Sequence, residues 1–305
     1  MIQHHLDQAA QDFNRVRVRE AFTRLLSFTN SDSRAMLSLE EVKELLHPKS
    51  ETYLGMRTVP VDRIVGSEGR YRDFNRRFLP RYEYLRTRWM KVDLAHIQDV
   101  ILPPIKLYEL GGLYFVRDGN HRVSVAKVKG VMEIDAEVVS LGSEIKLDGA
   151  MTRQDILESV IGWEQARFIE KTGYQFPPEE LKFSEPGRYD ELLQHILTHK
   201  YFINQSFRRE IRLEQALASW YYNVFKPIID IIKEEGLLIR FPGRTAADLY
   251  VWIVQHWDAL KQKYGHDFSM VDAARDYAHR YGKGLWAQFL DAVYGLYLAI
   301  TRRIF

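Results

Sequence analysis

The spacing of hydrophobic residues divides the chain into three blocks with different periods. In the first, about residues 5–48, Phe13, Val16, Phe22 and Leu25 or Leu26 recur at helical spacing and predict an N-terminal helical arm. Ser38 ahead of Glu40-Glu41 predicts a second, short helix with Ser38 as its N-cap. His47-Pro48 ends it, because proline disfavours helical backbone in the residue before it. In the second block, about 53–145, the period drops to two. Thr58-Val59-Pro60-Val61 and Pro104 to Leu110 alternate as strands, Gly111-Gly112 marks a tight turn, and Leu113-Tyr114-Phe115-Val116 returns as the second strand of a hairpin. After Asp118-Gly119-Asn120 the pattern turns helical through Val123, Ala126 and Lys127 or Val128, and stops at Gly130. Met132 to Val138 alternates again as a strand.

The third block, about 150–305, is helical throughout. Leu213, Ala216, Leu217, Trp220, Val224, Ile228 and Ile231 form one apolar stripe that Gly236 stops and Pro227 kinks or splits. Thr245 with Asp248 at the third helical position predicts a cap ahead of Leu249, Trp252, Ile253, His256 and Leu260, in a helix ended by Gly265. Two more helices are expected, at about 269–281 and 284–303. The expected fold class is α+β, with a helical arm over 1–50, a small α/β domain over 51–148 and an all-helical C-terminal domain over 149–305.

Composition narrows the function classes. A hydrophobic fraction of 46% supports a full core, and a net charge of +2 neither favours nor excludes a nucleic-acid partner. The absence of cysteine removes disulfides, thiolate nucleophiles and Cys-ligated zinc. No stretch reaches the roughly 18 apolar residues of a membrane span. The nearest, Ala292 to Thr301, is too short and ends at Arg302-Arg303. With no signal-peptide pattern at Met1 to Asp7, a soluble cytoplasmic protein is expected.

The segment that carries chemistry is Asp118-Gly119-Asn120-His121-Arg122, on a strand-to-helix turn. Glycine lets the backbone turn sharply and approach a ligand closely. The amides that follow open a helix without internal acceptors, and with the helix dipole they favour phosphate. Arg122 offers a planar cationic fork, His121 donates or accepts near neutral pH, and Asp118 suits a magnesium ion or a base toward a hydroxyl. Asp, Gly and Asn also dominate plain loop turns, and on spacing alone that reading stands beside the first.

Here the residues resemble a family. Gly119-Asn120-His121-Arg122-Val123-Ser124-Val125-Ala126 is similar to the Gly-x-x-Arg-x-x-x-Ala phosphate motif of the ParB/sulfiredoxin-like superfamily. Val59 to Ile64 resembles its first strand, and Leu102 to Val116 the hairpin ahead of the motif, so the resemblance covers roughly 57–140. It implies a nucleotide held at the turn, with Gly119, Asn120, His121, Arg122 and Ser124 at the phosphates. Members include CTP-dependent DNA clamps, an ATP-dependent reductase and a branch that phosphorylates free serine. The reductase's catalytic cysteine would fall at His121, which excludes that chemistry. The Asp-Gly-x-His-Arg form is closer to the serine-kinase branch, which implies Asp118 as a metal or proton-handling group. In the family the loop after the first strand helps to close the pocket, which implies Arg70 and Arg72 as candidate phosphate contacts and Glu68 or Asp73 as an acidic partner; a solvated charged loop is the alternative reading of the same residues. Phe241 to Tyr250 and Ser184 to Asp190 resemble segments of bacterial ParB-like proteins of unassigned function.

Three readings follow. The first is a nucleotide-dependent protein using a nucleoside tri- or diphosphate (CTP or ATP/ADP) and magnesium, for hydrolysis or phosphotransfer, with Asp118, His121 and Glu68 as catalytic candidates and Asp118 on the metal. The second is a DNA-binding regulator, suggested by arginines interleaved with Tyr71, Phe74, Tyr82, Tyr84 and Trp89 between Arg70 and Arg88. The third is a structural protein whose long helices form a homodimer interface. His195 and His199 have the i, i+4 spacing of metal ligands, but no third ligand accompanies them and a surface pair is expected. The Trp220-Tyr221-Tyr222 and Trp252-His256-Trp257 clusters are expected in the core.

Overall fold

The computed structural model describes residues 2–25 and 35–264. Leu26, Gly265 and the helices expected over 269–281 and 284–303 lie outside the described residues. The protein is α+β, and it divides into two compact units, Met1–Val160 and Ile161–Phe305. The helical arm expected as a separate segment thus falls in the same unit as the sheet.

Helix α1 (Ile2–Leu25) opens the first unit, followed by β1 (Leu37–Ser38), α2 (Leu39–Leu46), β2 (Glu51–Pro60) and β3 (Ile64–Ser67). After a long connection come α3 (Arg86–Ile97), β4 (Ile105–Leu110), β5 (Leu113–Asp118), α4 (Asn120–Lys129), β6 (Glu133–Leu141) and α5 (Arg153–Thr172), which runs across the boundary. The strands form one sheet in the order β1-β3-β5-β4-β6-β2. The β4/β5 hairpin and the β6/β2 pair are antiparallel, and the other pairings are parallel. The hairpin and the helix stopped at Gly130 stand where alternation and turn residues put them. The strand expected over Thr58 to Val61 is the end of the longer β2, with Val61 already in a 3-10 turn, and the one expected over Met132 to Val138 is β6, which starts at Glu133 and runs on to Leu141. Ser38 is the residue before α2, yet its side chain makes no capping hydrogen bond.

Helix α4 is wedged between two cores because its apolar residues occupy two faces. Val123 packs with Ile64, Phe74, Phe78, Ile105, Leu107 and Val116 over the sheet. Val125 packs with Phe13, Val16, Leu79 and Trp89, between α1 and α3. Phe22, expected on the buried face of α1, is 61% exposed; Phe13 and Val16 carry that helix's place in the cluster with Leu79, Trp89 and Val125. At the far end of α4, Lys129 Nζ lies 2.8 Å from an Asp12 oxygen and 3.0 Å from one of the fully buried Asp93. Burial raises the Asp93 carboxyl above its ordinary range, and the lysine opposes that rise.

The second unit is helical: α6 (Arg188–Phe207), α7 (Leu213–Trp220), α8 (Lys226–Glu234) and α9 (Ala246–Tyr264). The break expected at Pro227 is a π-helical turn, Tyr221–Phe225, between α7 and α8. Proline removes a backbone donor, and the wider turn accommodates its loss. The turn also shifts the register. Trp220 is followed in the core by Tyr221, Phe225, Ile228, Ile229 and Ile232, in place of the expected Val224 and Ile231. Asp248 caps α9 as its spacing predicts, accepting from Thr245 N–H at 2.7 Å and Thr245 Oγ1 at 2.9 Å. It also accepts from Ser184 N–H, and Arg244 ion-pairs with Glu185, which joins two of the segments singled out in the sequence.

Candidate anion-binding site

Strand β5 delivers Asp118 at its end, and the chain turns at Gly119, whose φ of 109° lies in the left-handed region. A side chain is excluded there twice. The dihedral disfavours it, and a Cβ would stand 2.5 Å from Ile105 Cγ2. The bond that closes the first turn runs from Val123 N–H to the Gly119 carbonyl at 3.0 Å. The amides of Asn120, His121 and Arg122 therefore have no acceptor within α4, and they sit at the positive end of its dipole.

This turn lines a cleft of 730 Å³. Arg70, Arg88, Lys106, Arg117 and Arg122 line it together with Glu68, Asp73 and Asp118, so positive charge prevails. Asn120 and His121, at 8% and 6% exposure, also line it, and Asn120 Oδ1 and His121 Nδ1 are buried with no hydrogen-bond partner. A buried polar atom without a partner is costly and marks a place where a ligand can supply one. Burial, then the charges of Arg88 and Arg70, push the His121 imidazole down to about 4, so at neutral pH it is uncharged. Its ring meets Phe74 edge-on, with centroids 5.3 Å apart.

The cations differ in how far they are committed. Arg70 pairs with Asp73 at 2.8 Å and Lys106 with Glu137 at 3.4 Å, while Arg117 lies over the Tyr108 ring. Arg122 is a strut. Its guanidinium donates to the Pro103 carbonyl, to the Pro104 carbonyl at 3.0 Å and to Asp118 at 2.5 Å, tying the turn to the connection before β4. Arg88 has no ion-pair partner among the described residues.

Of the residues singled out in the sequence, Glu68, Arg70, Asp73, Asp118, Gly119, Asn120, His121 and Arg122 come together in this cleft. Two do not. The Ser124 hydroxyl is wholly buried, donating to the Phe78 carbonyl at 2.6 Å and accepting from Trp89 Nε1 at 2.9 Å. Its place on the helix turns it into the core, which corrects its assignment as a phosphate contact. Arg72 lies outside the cleft lining, over the Tyr71 ring. Three more cations line the cleft: Lys106 and Arg117, which the sequence does not single out, and Arg88, which it offers only as the end of a nucleic-acid stretch. Lys106 pairs in register with Asp118, so alternation along the predicted hairpin carried that much of the signal; Arg88 was hidden in an arginine-rich stretch.

No protein-family model and no curated protein matches the sequence. Among solved structures, a Pnob8-like ParB-N domain is 12% identical, over 77% of this chain and 84% of that one, with a TM-score of 0.21. A likeness that loose says nothing about ligand or partner.

Other candidate chemistry is accounted for by packing. His199 Nε2 lies 3.0 Å from Ser219 Oγ, the His195 ring meets Tyr250 edge-on, and no group of three His, Cys, Asp or Glu with metal-site geometry occurs among the described residues. Trp220 is buried and donates to Tyr250 Oη, but Tyr222 is 64% exposed and Trp252 is half-buried, which corrects the expectation of a core position for all of them. Two arginines of the 70–88 stretch are committed to contacts within the protein. Arg76 donates to the Gly149 and Met151 carbonyls, and Arg86 binds Glu83, Asn14 and the Phe13 face. No described helix is long and apolar enough to cross a membrane.

Proposed function

We propose that the cleft binds the phosphate groups of a nucleotide. The observation that carries this reading is the open N-terminus of α4 at a glycine that tolerates no side chain, in a positive cleft where Asn120 and His121 hold unpartnered buried atoms. Arg88 and the amides of residues 120–122 are the primary phosphate contacts, and Arg70 and Arg117 flank them. Arg122 acts through geometry, holding Asp118 and the Pro103-Pro104 connection in place. Magnesium fits only as a nucleotide-borne ion. The lone carboxylate at the turn, Asp118, is held by Arg122, and magnesium is commonly bound by one or two carboxylates together with substrate phosphates. Asp118 would hold it, with Glu68 and Asp73 in the same cleft, and the bound ion would neutralise charge developing on a transferred or hydrolysed phosphoryl group. A regulator that grips DNA through the 70–88 stretch is disfavoured, because Arg76 and Arg86 are spent on internal contacts.

Calorimetric titration of CTP, ATP, ADP and GTP, with and without magnesium, tests the proposal. Binding of at least one is expected. Arg88→Ala should weaken it at least about tenfold, the scale of a lost charge-assisted hydrogen bond. Absence of binding, or full affinity in Arg88→Ala, overturns the assignment. DNA binding that falls with salt and ignores Arg88→Ala would favour the regulator instead.

A further inference from the structure

Two tyrosines stand outside the lining of the phosphate cleft and are joined to it through Asp73, which lines it. Tyr82 and Tyr84 are stacked on one another, with ring centroids 5.5 Å apart and planes inclined by 11°. They remain 45% and 66% exposed. Exposed tyrosines are usually free to rotate, but Tyr84 is held by a hydrogen bond and Tyr82 stacks on it. The Tyr84 hydroxyl donates to the Asp73 carboxylate, and Asp73 lines the cleft and pairs with Arg70. That bond holds the Tyr84 hydroxyl proton and raises its pKa above the ordinary value. The backbone beneath is tied down as well. Arg81 N–H donates to the Asp73 carbonyl at 2.8 Å, Leu85 is buried in the core, and Arg86 donates to Asn14 at 2.7 Å. One helical turn beyond Tyr84, Arg88 lines the same cleft. The tyrosine pair is therefore joined to the cleft on two sides, through Asp73 and through α3.

A rigid, solvent-facing aromatic pair beside a phosphate site matches a ligand that carries a planar ring joined to phosphates. We propose that Tyr82 and Tyr84 form the platform on which the base of the bound nucleotide stacks. This rests on the phosphate reading of the cleft and adds a second recognition element to it. Every base presents a π-face, so the platform rewards a base as such and does not choose among bases. Because the pair is ordered before the ligand arrives, little conformational entropy is lost in stacking.

The test compares nucleoside triphosphates with inorganic tripolyphosphate, which has the phosphates and no base, by calorimetry on the full chain. In the wild-type protein the nucleotides should bind more tightly than tripolyphosphate. Tyr84→Ala should weaken nucleotide binding by roughly ten- to a hundredfold and leave tripolyphosphate unchanged. Tyr84→Phe, which keeps the ring and loses the bond to Asp73, should restore most of the nucleotide affinity. Arg88→Ala should weaken both ligands. Equal binding of nucleotides and tripolyphosphate by the wild type overturns the platform and leaves the phosphate site standing. So does unchanged nucleotide binding in Tyr84→Ala. If Tyr84→Ala lowers both ligands alike, Tyr84 acts by positioning Asp73 and Arg70, and stacking is rejected. If neither ligand binds the wild type, the phosphate reading and the platform fall together.

Discussion

At the scale of single residues, the cleft depends on groups kept in unusual states, and His121 is the most informative. Its imidazole is nearly enclosed, and Arg88 and Arg70 add to the cost of charging it. In the unfolded chain the same ring takes up a proton near its ordinary pKa of about 6.5. Between that value and about 4 the unfolded state binds a proton that the folded state refuses. The stability tied to His121 is thus complete above pH 6.5 and is lost as pH falls toward 4. Denaturant unfolding of the wild type should show this as a slope approaching about 1.4 kcal/mol per pH unit in that window. His121→Gln should remove that component while leaving the dependence at lower pH. Identical slopes in the two proteins would mean that the ring is solvated or charged in the fold. The contrast with Arg122 shows why residue type alone misleads. Both stand in the motif, but the guanidinium is already satisfied by Pro103, Pro104 and Asp118, whereas the imidazole nitrogen lacks a partner.

At the scale of elements, α4 has to present its first turn to the cleft at a fixed height and angle. Its N-terminus is positioned by Gly119 against Ile105 and by the Arg122 strut, and its C-terminus by Lys129 between Asp12 and the buried Asp93. Removing the ammonium leaves a buried carboxylate without a cation, which costs far more than the pair contributes. Lys129→Met should therefore lower stability by about 3 kcal/mol or more, while Asp93→Leu with Lys129→Met should recover most of the loss. Equal destabilisation in single and double variants would show that packing, not charge, fixes this end of the helix. The pattern of the sequence located α4 through local signals: alternation in β5, then glycine, then a change of period up to Gly130. Sequence spacing could not show which face is buried. Ser124 falls on the Trp89 side, and a contact between residues 35 apart leaves no local trace. The same limit explains α8. Pro227 announced a break, but only the π-helical turn ahead of it shifts burial by one residue to Phe225, Ile229 and Ile232.

At the scale of the whole molecule, every residue of the cleft lies between Glu68 and Arg122, within the first compact unit. Cleft residues come from the connection after β3, from α3, from the connection before β4, from the β4/β5 hairpin and from α4. Local patterns revealed most of these elements, but the parallel pairings β3/β5 and β4/β6 that bring them together join distant segments. Those pairings were beyond reach of periodicity, and with them the inclusion of Arg88. A ligand that binds only the folded first unit stabilises it by mass action, about 2.7 kcal/mol at a hundred times its dissociation constant. Amide exchange in saturating tripolyphosphate should therefore slow at residues 119–123 and in the slowest-exchanging amides of β3, β4, β5 and α3. Those of α7, α8 and α9 should exchange as before, if the two units open separately. Equal protection in both would show that the helical unit unfolds together with the cleft, and would make its integrity a condition of binding. Protection confined to the second unit would place the anion site elsewhere and remove the basis for assigning it to Gly119 and Arg88.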